Sequence, residues 1–155
     1  MAPKKGNSNP RKQYFDSIKS QKIDSLRWCL RHGGMTIKTE NDDEEVGLQI
    51  AAAGGYAQSM EVLLEYVRKT GSAEDIEVPD EDGRTPLMLA CYNGKYDCVR
   101  LLVLEGKAKL TTKCENGKTA MDYAVERRQD RIIAFLKDPK KPEPEPELEE
   151  EDEEE

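Results

Sequence analysis

The sequence predicts an all-α solenoid of four stacked helix pairs, flanked by two tails with no fold of their own. Three observations predict it. Gly83, Thr85, Leu87, Ala90, Val99 and Leu102 find counterparts 34 residues on, in Gly117, Thr119, Met121, Ala124, Ile133 and Leu136. Apolar residues are confined to the centre: outside residues 14–137 only Met1, Ala2 and Leu148 are hydrophobic. Glycines and a Thr-Pro step cut that centre into segments of one short helix each.

The first copy is the weakest. Phe15, Ile18, Ile23, Leu26, Trp28, Cys29 and Leu30 supply its apolar faces and lead to Arg31-His32-Gly33-Gly34. In the second copy Val46, Leu48, Ala51, Gly55, Met60 and Leu63 lie 39 residues before their partners. Val46-Gly47 stands where the third copy has Thr85-Pro86. The extra residues around Tyr66–Asp75 predict a long second helix and an atypical loop after it. In the third copy Thr85 is a helix N-cap and Pro86 fits the first helical position, where a missing N–H costs nothing. Leu87, Leu89 and Ala90 face inward, and Gly94 ends the helix. A second helix carries Val99, Leu101, Leu102 and Leu104 and closes at Gly106. The fourth copy has Arg128 at the helix-ending glycine position. No helix of such a pair buries its face alone; stacking pair on pair makes one continuous core. The expected repeats are about 13–40, 41–79, 80–113 and 114–137, with weak end copies in the place of caps.

The run Gly83-Arg84-Thr85-Pro86-Leu87-Met88-Leu89-Ala90 resembles the ankyrin-repeat pattern G-x-T-P-L-H-x-A, and the resemblance covers about residues 13–137. It implies an ankyrin solenoid with capping-type terminal repeats. It also implies a concave groove, lined by finger-like turns and the first helices, that binds a partner protein. Carried over position by position, the partner-binding candidates are Glu81, Asp82, Arg84, Met88, Tyr92 and Asn93 in repeat 3. In repeat 4 they are Glu115, Asn116, Lys118, Asp122, Glu126 and Arg127. In repeat 2 they include Gln49, Ala53 and Gly54, with a hollow over the small residues. Tyr92 beside Arg84 and Met88 is the expected anchor, since aromatics and Arg dominate binding hot spots. Tyr56 and Tyr96 are expected to pack at helix junctions.

The flanks are different material. The chain has 24 Lys plus Arg against 32 Asp plus Glu, a net charge of −8. Residues 143–155 hold ten acids and no base, and residues 1–12 hold four bases and no acid, so residues 13–142 sum to only −2. A nearly neutral body is no nucleic-acid-binding domain. The head 1–12 and the tail 138–155, DPKKPEPEPELEEEDEEE, are expected to be disordered. The tail reads as a solvating device or as a ligand for basic protein surfaces. The longest uncharged stretch, Val46–Met60, is 15 residues, short of a membrane span. Without a signal peptide or lipidation motif the protein is expected in the cytoplasm, with nucleus and cytoskeleton as further settings.

Catalytic and metal chemistry find no constellation. His32, the single histidine, suits the last turn of a helix. Cys29, Cys91, Cys98 and Cys114 form no Cys-x-x-Cys pair and read as reduced structural thiols. Gly117-Lys118-Thr119 resembles the end of a phosphate loop, but Thr112 stands where its first glycine belongs. The expectation is a non-enzymatic adaptor or regulatory inhibitor, monomeric when free, with no cofactor or metal, no nucleic acid and no membrane. Alternatives are a structural subunit of a cytoskeletal or ciliary assembly, and an acidic-tailed chaperone for basic proteins.

Overall fold

The computed structural model of the chain describes residues 9–71 and 73–140. Among the described residues eight α-helices form four antiparallel pairs: α1 Pro10–Lys19 with α2 Ile23–His32, α3 Gly47–Gly54 with α4 Ala57–Thr70, α5 Pro86–Tyr92 with α6 Tyr96–Leu104, and α7 Ala120–Glu126 with α8 Asp130–Lys137. The first helices stack as one layer and the second helices as another. The first helix begins at Pro10, with Asn9 Oδ1 accepting from the Arg11 amide at 3.0 Å, so Arg11 and Lys12 of the expected head are helical. The long second helix of repeat 2 is α4, of 14 residues, and the unusual loop after it contains a short 3-10 helix, Ala73–Glu77.

One core runs through all four pairs. Tyr14, Leu26, Leu48, Met60, Leu63, Leu87, Ala90, Val99, Leu102 and Ala124 lie in it, each at most 1% exposed. All four cysteines are free and buried. Cys98 Sγ lies 3.5 Å from the Ala51 carbonyl and the Ser59 hydroxyl donates to the Ile18 carbonyl at 2.8 Å, so α6 and α4 are each tied to the first helix of the preceding pair. Leu104, expected inward, is 38% exposed, because it falls on the far side of α6 from Val99 and Leu102.

The caps show how each repeat starts. Thr85 Oγ accepts from the Met88 amide, and Thr119 with Asp122 forms a reciprocal capping box. Repeat 2 lacks the threonine and keeps half of this device: Gln49 Oε1 accepts from the Val46 amide at 3.0 Å. Its Gly47, in place of proline, has a steric cause. A Cβ there would sit 2.6 Å from the Tyr14 hydroxyl and 2.9 Å from Ile18 Cδ1, so α1 packs into the space a side chain would fill.

Helix junctions obey one rule. Gln21, Gly55, Gly94 and Arg128, related by the repeat offsets, all have positive φ, at 51°, 73°, 70° and 54°. Two of the four are not glycine and carry the strain of the left-handed conformation.

Candidate partner-binding face

Between repeats the chain makes three superposable turns. The Asn41, Asp80 and Cys114 amides donate to the Glu45, Arg84 and Lys118 carbonyls at 2.9–3.0 Å. The fourth residue of each, Glu44, Gly83 or Gly117, has φ between 60° and 74°. In the first two turns a side chain locks the loop from inside: Asn41 Oδ1 accepts from the Asp43 and Glu45 amides, and Asp80 Oδ1 from the Asp82 and Arg84 amides, at 2.8–3.0 Å. In the third, Cys114 takes that place. Its thiol lies 3.3 Å from the Tyr123 hydroxyl. That hydroxyl, helped by the Lys118 and Asn116 amides, holds the thiol below the ordinary cysteine range.

The turns thus become rigid fingers, and what they hold out is acidic. Asp42, Asp43, Glu44, Glu45, Glu81, Asp82 and Glu115 are exposed at the tips. The nearby bases are engaged. Arg84 Nε meets Asp80 Oδ2 at 2.9 Å and its Nη2 meets Asp82 Oδ2 at 3.3 Å. Arg11 donates to the Glu40 and Asn41 carbonyls at 2.6 and 2.9 Å and lies 3.8 Å from Asp42. The Glu115 amide donates to the Asp82 carbonyl at 3.2 Å, joining the second finger to the third. Charge falls along the row: residues 40–45 sum to −5, residues 80–84 to −2 and residues 113–118 to +1.

Beside the fingers, the first helices carry a small aromatic cluster. Tyr92 is half-buried, edge-on to Tyr123 at 5.9 Å, with the Arg127 guanidinium 4.6 Å over its ring. Lys118 pairs with Glu126 and lies 5.5 Å over the Tyr123 ring. Asn93 is exposed and bonds back to the Leu89 carbonyl at 3.0 Å. Asn116 is exposed, and Asp122 caps α7. Two candidates lie elsewhere than expected. Met88 is 1% exposed and belongs to the core, because its place in α5 faces the neighbouring pairs. Gln49 is 3% exposed, held by the Val46 amide and by the Val78 carbonyl at 3.2 Å. Over α3 only Ala53 and Gly54 reach the surface. Tyr96 packs at a helix junction as expected, edge-on to Phe135 at 5.8 Å, and the Tyr56 ring lies against Gly54.

Sequence reasoning passed over the first finger. The 39-residue offset places Asp42 and Asp43 on Glu81 and Asp82, and applying it to the turns as well as to the helices finds them.

The opposite face is occupied by its own ion pairs. Across the groove between the second helices Arg27 meets Glu65 at 2.8 Å and Arg68 meets Glu105 at 3.8 Å, and within α4 Lys69 meets Glu65 at 2.6 Å. Among the described residues no group of three or more His, Cys, Asp or Glu side chains is placed to hold a metal ion, and no helix is long and apolar enough to cross a membrane.

Comparison with known proteins bears on this arrangement. The chain is 29% identical over 118 residues to protein phosphatase 1 regulatory subunit 12A of Mus musculus, a match over 76% of this chain and 10% of that protein. It is 27% identical over 143 residues to the E3 ubiquitin-protein ligase Ufd4 of Drosophila melanogaster, covering 88% of this chain and 5% of the relative. The chain therefore spans a tenth or less of the length of these relatives. Its fold matches a chain of the crystal structure of the yeast ribosomal protein Rps3 in complex with its chaperone Yar1, with a TM-score of 0.71, 25% identity, and coverage of 86% of this chain and 96% of that one. A family model described as ankyrin repeats (3 copies) matches residues 16–106 and 48–147. With that match over most of its length, the chain belongs to the ankyrin-repeat family.

Proposed function

We propose that this chain is a non-catalytic binding module that holds a basic segment of a partner protein against its fingers and first helices. The observation that carries this reading is the row of finger tips: seven exposed carboxylates and no base at positions 42–45, 81, 82, 115 and 116. Backbone turns hold the residues that carry these carboxylates in fixed places, so little loop entropy is lost when a cation docks. The first two fingers carry nearly all of the surplus, so the basic stretch lies over repeats 2 and 3. The Tyr92–Arg127 pair marks the end of the site nearest repeat 4. The match to a chain of a chaperone–ribosomal protein complex supports a basic partner, since proteins that meet RNA phosphates are rich in Lys and Arg. It favours chaperone-like or inhibitory holding over a purely structural role.

The test is a titration with a fluorescent twelve-residue Lys/Arg peptide, read by anisotropy. Neutralising the tips in the full chain (D42N, D43N, E81Q, D82N) should weaken binding at least tenfold, about 1.4 kcal/mol. Neutralising Glu61 and Glu65 on α4 should leave affinity within about twofold. If neutralising the ten acids of residues 143–155 abolishes binding while the finger variant binds normally, the fingers are not the site.

A further inference from the structure

The end of the stack at repeat 4 is not polar in the way a terminal repeat requires. At three sets of equivalent positions the inner repeats bury their side chains under the next pair: Leu48 and Leu87, Ala52 and Cys91, Met60 and Val99 are all at most 1% exposed. Repeat 4 has Met121, Val125 and Ile133 at these positions. Met121 and Ile133 are partly exposed, and Val125 is 56% exposed. The sequence has kept stacking residues on a face that no described residue covers.

The C-terminal segment of the chain suits that face. Residues 141–155 leave three residues beyond the end of α8, at this same end of the stack. Alternating proline favours polyproline II, in which residues three apart share an edge. Pro142, Glu145 and Leu148 then share one edge, and Glu143 and Glu147 lie on the other two. Leu148 is the one hydrophobic residue after Leu136. Charge is complementary as well: residues 107–140 carry nine bases and five acids, and residues 141–155 carry one base and ten acids. The reach is sufficient, since the eight steps from Lys140 to Leu148 span roughly 25 Å at ~3.1 Å each, against about 20 Å across two helices. The family match also runs on to residue 147, ten residues past α8, where a loop would lead into a next finger.

From this we infer that residues 142–148 dock as an extended strip on the exposed end of repeat 4. Pro142 and Leu148 lie on Met121, Val125 and Ile133, and Glu143 and Glu147 turn towards the surrounding bases. The tail is then an internal ligand that completes the stack, and any further repeat or partner that stacks on this end has to displace it. This does not depend on the finger site.

Methyl NMR of the full chain tests it. Cross-relaxation peaks are expected between Leu148 methyls and those of Val125 and Ile133. Leu148→Asp should abolish them and shift the Met121, Val125 and Ile133 methyl signals, leaving α1–α4 unmoved. A Pro144→Ser/Pro146→Ser variant should give a smaller shift at the same methyls. Identical methyl spectra for wild type and Leu148→Asp would overturn the inference. So would peaks that arise only between differently labelled chains in a mixed sample, because a second copy would then be the occupant.

Discussion

At the scale of single residues, the repeat offsets turn exceptions into measurable strain. Arg128 has φ 54° where Gly55 and Gly94 stand in their own repeats. Arg128→Gly should therefore raise stability by about 1 kcal/mol, the left-handed penalty less the added entropy of glycine in the unfolded chain. The reverse change, Gly94→Ala, should destabilise by at least as much, since the added Cβ would also sit 2.6 Å from the Gln129 side chain. Urea midpoints of the two variants check both signs. The cysteines form a second series. Burial pushes the Cys91 and Cys98 thiols up to about 12, whereas the Tyr123 hydroxyl holds Cys114 below its ordinary value. Peptide mapping after brief iodoacetamide treatment near neutral pH should find all four buried cysteines largely protected until the chain unfolds, with Cys114 the first to react. The role of Cys114 was not legible in the sequence, because at this position the other turns use Asn41 and Asp80 and a thiol is no obvious substitute for an amide or a carboxylate.

At the scale of the element, caps and junctions set the stability. Asp122 completes the α7 capping box, and its bonds from the Thr119 amide and hydroxyl hold the carboxyl below the usual range. A lowered folded-state pKa means the contribution is complete above the unfolded value near 4 and is lost as pH falls through the folded value. The stability gap between wild type and Asp122→Asn should therefore be present at pH 7 and shrink as pH falls below the unfolded value near 4. Thr119→Ala should cost about 1 kcal/mol. Ala90, fully buried between pairs, should tolerate no charge: Ala90→Arg costs about 3–5 kcal/mol, read as a fall in the urea midpoint. Tyr14 tests the contact behind Gly47. Its hydroxyl is buried with no hydrogen-bond partner among the described residues, so Tyr14→Phe should be neutral or stabilising by about 1 kcal/mol. Most of these elements were legible. Thr85-Pro86 and Gly94 mark their helix, and the stretched spacing after Tyr66 announces the long α4. The start at Pro10 was less so, because Pro, Asn and Lys read as tail until Asn9 is seen capping a helix. Met88 could not be placed from spacing alone: α5 has seven residues, and neighbours on three sides bury most of its circumference.

At the scale of the molecule, the decisive property is how charge is distributed over a rigid frame. The net charge of −8 says little, because residues 143–155, with ten acids and no base, account for more than all of it. The frame separates an acidic finger row at repeats 2 and 3 from a nearly neutral repeat 4, and pairs Arg27 with Glu65 and Arg68 with Glu105 on the second-helix face. Binding at such a row is steered by charge and should weaken as salt rises. The most direct measurement is an amide NMR map of the full chain on addition of the Lys/Arg peptide. Shifts should concentrate at residues 41–45 and 80–84, extend to Tyr92, and spare α2, α4 and α6. Shifts confined to the second helices, or to residues 143–155 with the fingers unmoved, would contradict the assignment of the partner site to the fingers.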